Sequence, residues 1–221
     1  SFYFLEKKIF PILEKGIKPL YLNKELIFYS TPLLFVSLLG SIMSWIGTFM
    51  LGYFKSASDV GIYNAVLPIA HLMYILPYAL ITLFTPIITE LYAKNRKEEL
   101  KSIYKTTTKW IFLLNLFLLF SFIMFSKQIL QILFGSPYVV GWGALIILGL
   151  SYFLGYLVIC STHILIILKK IKIVFLNTFI GTLSNIILNY YLIPIYGFTG
   201  AAIATGISFF IIGLLAVLEV Y

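Results

Sequence analysis

An all-α membrane protein, a bundle of six transmembrane helices, is predicted by three observations. Six apolar stretches are each long enough to cross a bilayer, nearly every charge lies between them, and the basic charges crowd into alternate connecting segments. Composition agrees: 61% of the residues are hydrophobic and 11% charged, whereas soluble domains are roughly half apolar and about one-quarter charged.

The chain opens with SFYFLEKKIFPILEKGIKPLYLNKEL, residues 1–26, which mixes Lys and Glu with apolar residues and is broken by Pro11, Gly16 and Pro19. This reads as an amphipathic linker lying on the cytoplasmic membrane surface. It carries no signal-peptide pattern and begins at Ser1, so the expectation is that further chain precedes it. The transmembrane part is expected over 27–221. Its spans run from Ile27 to Leu51, Asn64 to Ile88, Trp110 to Phe125, Trp142 to Leu168, Ile173 to Leu192 and Thr199 to Leu218, most near the ~20 residues needed to cross hydrocarbon.

KSASDVG joins the first two spans. The long polar stretch ELYAKNRKEELKSIYKTTTK then extends two helices beyond the membrane, with Glu98 and Lys101 at helical spacing. The third span, from Trp110, is the shortest and holds only Asn115 and Ser121 among its leucines and phenylalanines, so it should sit toward lipid. After it, KQILQILFGSPY is too short to span and should lie flat at the interface before Pro137. Gly197 in IPIYGFTG turns the chain between the last two spans.

Of the 16 basic residues, all but Lys55 and Lys127 fall on one side if the first segment is cytoplasmic, the asymmetry of the positive-inside rule. Both ends of the chain are then cytoplasmic. Trp110, Trp142, Tyr53, Tyr63, Tyr92, Tyr190 and Tyr191 near span ends fit headgroup-level aromatic belts. The net charge of +8 is therefore read as topology and attraction to anionic membrane lipid, with no nucleic-acid partner. The single Cys160 lies mid-span, where it is an apolar packing residue; no internal disulfide and no CxxC metal or redox site can be built, and no cofactor is expected.

The polar residues inside the spans are phased. Asn64, His71, Tyr74, Tyr78, Thr82, Thr85 and Thr89 fall within about a quarter of the circumference of the second helix at ~100° per residue. Ser30, Ser37, Ser41, Ser44 and Thr48 do the same in the first. Gly149, Tyr152, Tyr156, Cys160 and His163 form a stripe in the fourth, and Asn177, Gly181, Asn185 and Asn189 one in the fifth. Lipid rejects such faces, so they are expected to point into the bundle. Small-residue faces, such as that of the first span or Gly200, Ala204 and Ser208 in the last, suit close helix packing. The second span's large polar and aromatic groups suit a wet cavity, and Pro68, Pro77 and Pro86 in the same helix suit a wall that bends. His71 and His163 are read as hydrogen-bonding residues, with a proton or ligand site as the alternative.

No Asp, Glu, Lys or Arg lies mid-span, and Glu25, Glu90 and Glu219 all sit at span ends. Embedded hydrolysis or glycosyl transfer normally needs a carboxylate, so no catalytic residue is assigned and the chain is expected not to be an enzyme.

SWIGTFMLGYFKSASDVGIYNAVLPIA, FTPIITELYAKNRKEELKSIYKTTTKWIF, ILQILFGSPYVVG and NIILNYYLIPIYGFTGAAIATGIS, in this order, closely resemble the carboxyl-terminal lobe of polysaccharide-exporting flippases of the multidrug/oligosaccharidyl-lipid/polysaccharide superfamily. LGYF with DVGIYNA, ILFG, and LIPIYG with GAAIAT carry most of that resemblance. It implies one lobe of a two-lobe, MATE-like flippase fold, helices seven to twelve, in a protein of the cell membrane. Its partners would be a lipid-linked oligosaccharide, flipped by alternating access, and an amino-terminal lobe absent here. Gly47 stands where relatives often carry an Asp, which leaves ion coupling to the other half or to none. The substrate-path candidates are Asn64, His71, Tyr74, Tyr78, Thr82, Tyr156, His163, Asn185 and Asn189. The alternatives are a multidrug or toxin extruder of the same superfamily, and a noncatalytic scaffold or truncated remnant.

Overall fold

The computed structural model describes residues 23–157 and 159–220. The linker expected over 1–26 lies almost wholly outside the described residues, as does the side chain of Cys160. Two compact units are distinguished, ending and beginning at Thr31 and Pro32. Of the first, only the opening of one helix is described; the helical bundle is the second.

The described helices are α1 (Asn23–Phe54), α2 (Ala57–Ala93), α3 (Lys97–Phe134), a 3-10 helix (Ser136–Gly141), α4 (Trp142–Leu157), α5 (Ile159–Ile167), α6 (Ile171–Tyr196) and α7 (Phe198–Val220). Among the described residues, six helical stretches are long and apolar enough to cross a membrane. The boundaries follow local chemistry. Ser56 caps α2: its hydroxyl accepts from the Asp59 amide while its own amide donates to the Asp59 carboxylate, both at 3.2 Å. That reciprocal pair satisfies two otherwise orphaned donors and starts α2 so early that only Lys55 and Ser56 of KSASDVG lie outside the helices. Asn95 and Lys169 adopt positive φ at the ends of α2 and α5, where the Arg96 and Lys170 amides return to the carbonyls of Leu91 and Leu165. Gly197, with φ 56°, ends α6 as expected.

Two expectations need correction. The third helix is not a short span from Trp110 to Phe125 but runs 38 residues to Phe134, and KQILQILF continues it instead of lying flat. Leu130 shows why: on the helical repeat it falls on the same face as Asn115, Leu119, Phe122 and Ser126, and all five are buried. The same seam corrects the reading of this helix as simply lipid-facing. Phe117, Phe120 and Met124 do face outward, but Asn115 is packed inside. The fourth span is described as α4 and α5, and residue 158 between them lies outside the described residues.

The main core is built by α2, α3, α4 and α7, with Val66, Met73, Phe122, Leu145, Leu148 and Ala202 at its centre. Small residues let the helices close. A Cβ on Gly206 of α7 would overlap Ser151 of α4, and one on Gly181 of α6 would overlap Ile212 of α7. Close backbone approach through small residues is how helices associate where lipid removes the hydrophobic drive. Helix α1 is tied to α6 by the Lys55 ammonium donating to the Pro194 carbonyl at 2.9 Å and by the Phe54–Tyr190 ring contact.

Candidate functional site

The four polar stripes, all expected to point inward, separate into two pairs. Those of α4 and α6 are inside: Gly149, Tyr152 and Tyr156, and Asn177, Asn185 and Asn189, are buried. Those of α1 and α2 face outward, which corrects the expectation. Ser37, Ser41 and Ser44 are exposed, and so are Asn64, His71, Tyr74, Tyr78 and Thr82. The opposite face of α2 carries Tyr63, Val66, Ala70 and Met73, which fill the core. A helix has one face to bury, and in α2 the apolar one wins.

The two outward stripes differ chemically. Ser37, Ser41 and Ser44 each donate to the carbonyl four residues earlier, at 2.9–3.0 Å. Hydroxyls satisfied within their own helix make few demands on their surroundings. Thr82 likewise donates to the Tyr78 carbonyl at 2.8 Å. His71, Tyr74 and Tyr78 have no such local partner and keep donors or acceptors available. At one end the stripes touch, where the Thr48 hydroxyl donates to Asn64 Oδ1 at 3.2 Å.

Around His71 the rings form a continuous array. Tyr78 packs on Tyr74 with centroids 5.1 Å apart, Tyr74 on Tyr156 at 5.5 Å, Tyr156 stacks on Tyr152 at 5.5 Å, and Tyr152 lies 5.3 Å from His71. The Tyr152 hydroxyl and His71 Nε2 are hydrogen-bonded at 2.9 Å, fixing the imidazole against α4. A groove of about 390 Å³ opens here, lined by Pro68, His71, Leu72, Tyr74, Ile75 and Tyr156. No charged side chain is among these residues. Ring faces with a few hydroxyl and imidazole groups can stack on and hydrogen-bond a neutral polar ligand; the lining offers no carboxylate for acid–base work.

Of the sequence candidates, His71, Tyr74 and Tyr156 line the groove and Tyr78 extends its ring array. Asn64 and Thr82 lie on the same exposed face, outside the lining. His163 is half-buried on α5. Asn185 and Asn189 are elsewhere, fully buried on α6, where Asn189 Nδ2 donates to Asn185 Oδ1 at 2.9 Å. Tyr152 is a site residue that the sequence candidates omit. Its place one turn before Tyr156 in the same stripe is the available signal; its partnership with His71, on another helix, leaves none. Pro68 is legible as one of the prolines of the expected bending wall, whereas Leu72 and Ile75 carry no polar signal and are unreadable from sequence.

At the α2–α3 turn, Lys94 pairs with Glu90 and Arg96 with Glu99. The hydrogen bond from Lys94 to Glu90 raises the Lys94 pKa above the ordinary lysine value, so Lys94 stays charged at neutral pH. Among the described residues, no three His, Cys, Asp or Glu side chains group as metal ligands do.

A family model described as MatE matches residues 32–191. The chain is 28% identical over 198 residues to the "Probable low-salt glycan biosynthesis flippase Agl15" of Haloferax volcanii, an alignment covering 87% of this chain and 41% of that protein. It is 32% identical over 178 residues to the "Probable flippase AglR" of the same organism, covering 79% of this chain and 37% of that protein. The chain thus spans about two-fifths of the length of these relatives.

Proposed function

This multi-pass membrane chain belongs to the MatE family, and from that premise we propose that it forms one lobe of a transporter that flips lipid-linked oligosaccharide across the cell membrane by alternating access. It has no catalytic role in this reading. The observation that carries it is the outward face of α2. His71, Tyr74 and Tyr78 are exposed on a surface otherwise rich in leucines, isoleucines and phenylalanines, and groups of that kind are costly against hydrocarbon. A second lobe placed against α1 and α2 would convert this face into the wall of a wet cavity. The length of the relatives supports such a lobe, since each has more than half its sequence outside the aligned region.

The substrate class follows from the relatives' names and from the chemistry of the groove. Uncharged rings and hydrogen-bonding groups suit sugar hydroxyls and sugar faces, while a cationic drug would favour an embedded carboxylate. Arg96, the only arginine, lies in a turn, so the phosphate of a lipid carrier would be held by basic groups of the other lobe. The basic segments 94–109 and 169–172 would face the cytoplasm, and the chain would begin and end there.

The test is complementation. The full-length gene should restore surface polysaccharide to a cell lacking its own flippase, and His71→Ala with Tyr78→Ala should abolish restoration at equal expression. Restoration by wild type and double variant alike would remove the groove from the path.

A further inference from the structure

Helix α2 continues through three prolines, and one of them, Pro77, is buried in the bundle. Proline has no N–H, so the Met73 carbonyl, one turn earlier, loses its helical donor. Within a membrane such a carbonyl must find a partner on a neighbouring helix or a water.

The register of α2 against α3 identifies what faces it. The two helices run antiparallel from the tight turn over residues 94–96. On one side Ile81 packs with Ile111. On the other, Met73 Sδ and Leu119 Cδ1 both lie within 4 Å of the same point beside Gly149. Each pair stands one turn from the middle, and the residues in the middle are Pro77 and Asn115. Asn115 is 0% exposed, and neither its Oδ1 nor its Nδ2 has a hydrogen-bond partner. The apolar core is interrupted at the same level, with Met73 and Leu119 in one cluster and Ile81 and Ile111 in another.

We propose that Pro77 and Asn115 form a pivot: α2 bends at Pro77, and in one of two positions Asn115 Nδ2 donates to the freed Met73 carbonyl, directly or through one water. A fully buried amide with both ends unmet is uncommon and costly in a native structure and calls for a partner. The bend falls within the ring array. His71 and Tyr74, which line the groove, stand before it and Tyr78, which extends the ring array, stands after it, so the pivot changes how Tyr78 meets the groove. This deepens the transport reading, yet its test needs no substrate.

Spin labels at the exposed positions Leu83 on α2 and Ile132 on α3, in a cysteine-free background of the full-length protein in lipid nanodiscs, report the position of the segment beyond Pro77. Pulsed dipolar spectroscopy should give two distance populations. Asn115→Leu and, should leucine fail to fold, Asn115→Ala should remove one of them. Pro77→Ala, which restores the donor to Met73, should also leave one. Asn115→Ala added to Pro77→Ala should then change nothing, because its target is already paired. A distribution that ignores Asn115, or one shifted by Asn115→Ala equally with and without Pro77, would overturn the pivot. A failure of polysaccharide export in complementation bears on the transport reading alone.

Discussion

Replacing Tyr152 by Phe and, separately, by Ala divides the two things this side chain does. The ring is buried, stacked on Tyr156, edge-on to Phe209 at 5.4 Å and tilted against His71; the hydroxyl adds one hydrogen bond, to His71 Nε2 at 2.9 Å. Tyr152→Phe keeps all three ring contacts and deletes only that bond. Hydrogen bonds between membrane helices average about 0.6 kcal/mol, and typical intramolecular ones contribute about 0.5–1.5 kcal/mol, so a loss of ~1 kcal/mol is expected. Tyr152→Ala also removes three ring contacts at about 0.5–1.5 kcal/mol each, for a total of about 2.5–5.5 kcal/mol. Unfolding of the purified full-length protein by SDS in bicelles measures both. A loss of ~1 kcal/mol leaves nearly all molecules folded when total stability is several times larger. Tyr152→Phe should therefore reduce export through the freed imidazole, not through lost protein. Equal destabilisation by the two substitutions would refute this division, and full export by Tyr152→Phe would show that the orientation of His71 is not used.

Three further outcomes are expected. Cysteines placed at His71, Tyr74 and Tyr78 in a cysteine-free background should react with a membrane-impermeant thiol reagent, whereas cysteines at Asn185 and Asn189 should stay inert; uniform reactivity would contradict the burial of the α6 pair. Gly206→Ala should destabilise by about 1–3 kcal/mol, the usual cost of overpacking, because its Cβ would overlap Ser151. Ser151→Gly should recover most of that loss in the double variant, as read by thermal unfolding in detergent. Asn189→Leu alone should cost about 1–3 kcal/mol by leaving Asn185 Oδ1 buried and unpaired, while adding Asn185→Leu should recover part of it; a double variant that loses the sum of both, in the same thermal measurement, would show that the amides serve other partners.

Several features are legible because they depend on the chain alone. Hydrocarbon thickness fixes how many apolar residues a span needs, so six spans can be counted along the sequence. Helical phase fixes which residues share a face, so the stripe from Asn64 to Thr89 is defined without reference to any neighbour. The turn at Gly197 follows from a residue that tolerates positive φ. Where the sequence misleads, the missing quantity is a neighbour. KQILQILF has the composition of an interfacial segment, but Leu130 is buried inside the bundle, and burial on the seam outweighs the attraction of the interface for Lys127 and Gln128.

The class of molecule, the number and phasing of its helices, and the family motifs from LGYF to GAAIAT are properties of the chain read linearly. Phase states that two residues lie on one side of a helix; it does not state which side meets another helix. Packing settles that the stripes of α4 and α6 turn inward while those of α1 and α2 turn outward, that Tyr152 holds His71, and that Asn115 stands level with Pro77. An α2 side chain has local helical neighbours three and four residues away, encoded in the chain, and distant ones such as Tyr152, 81 residues from His71. Those distant neighbours are chosen by how all the helices fit together.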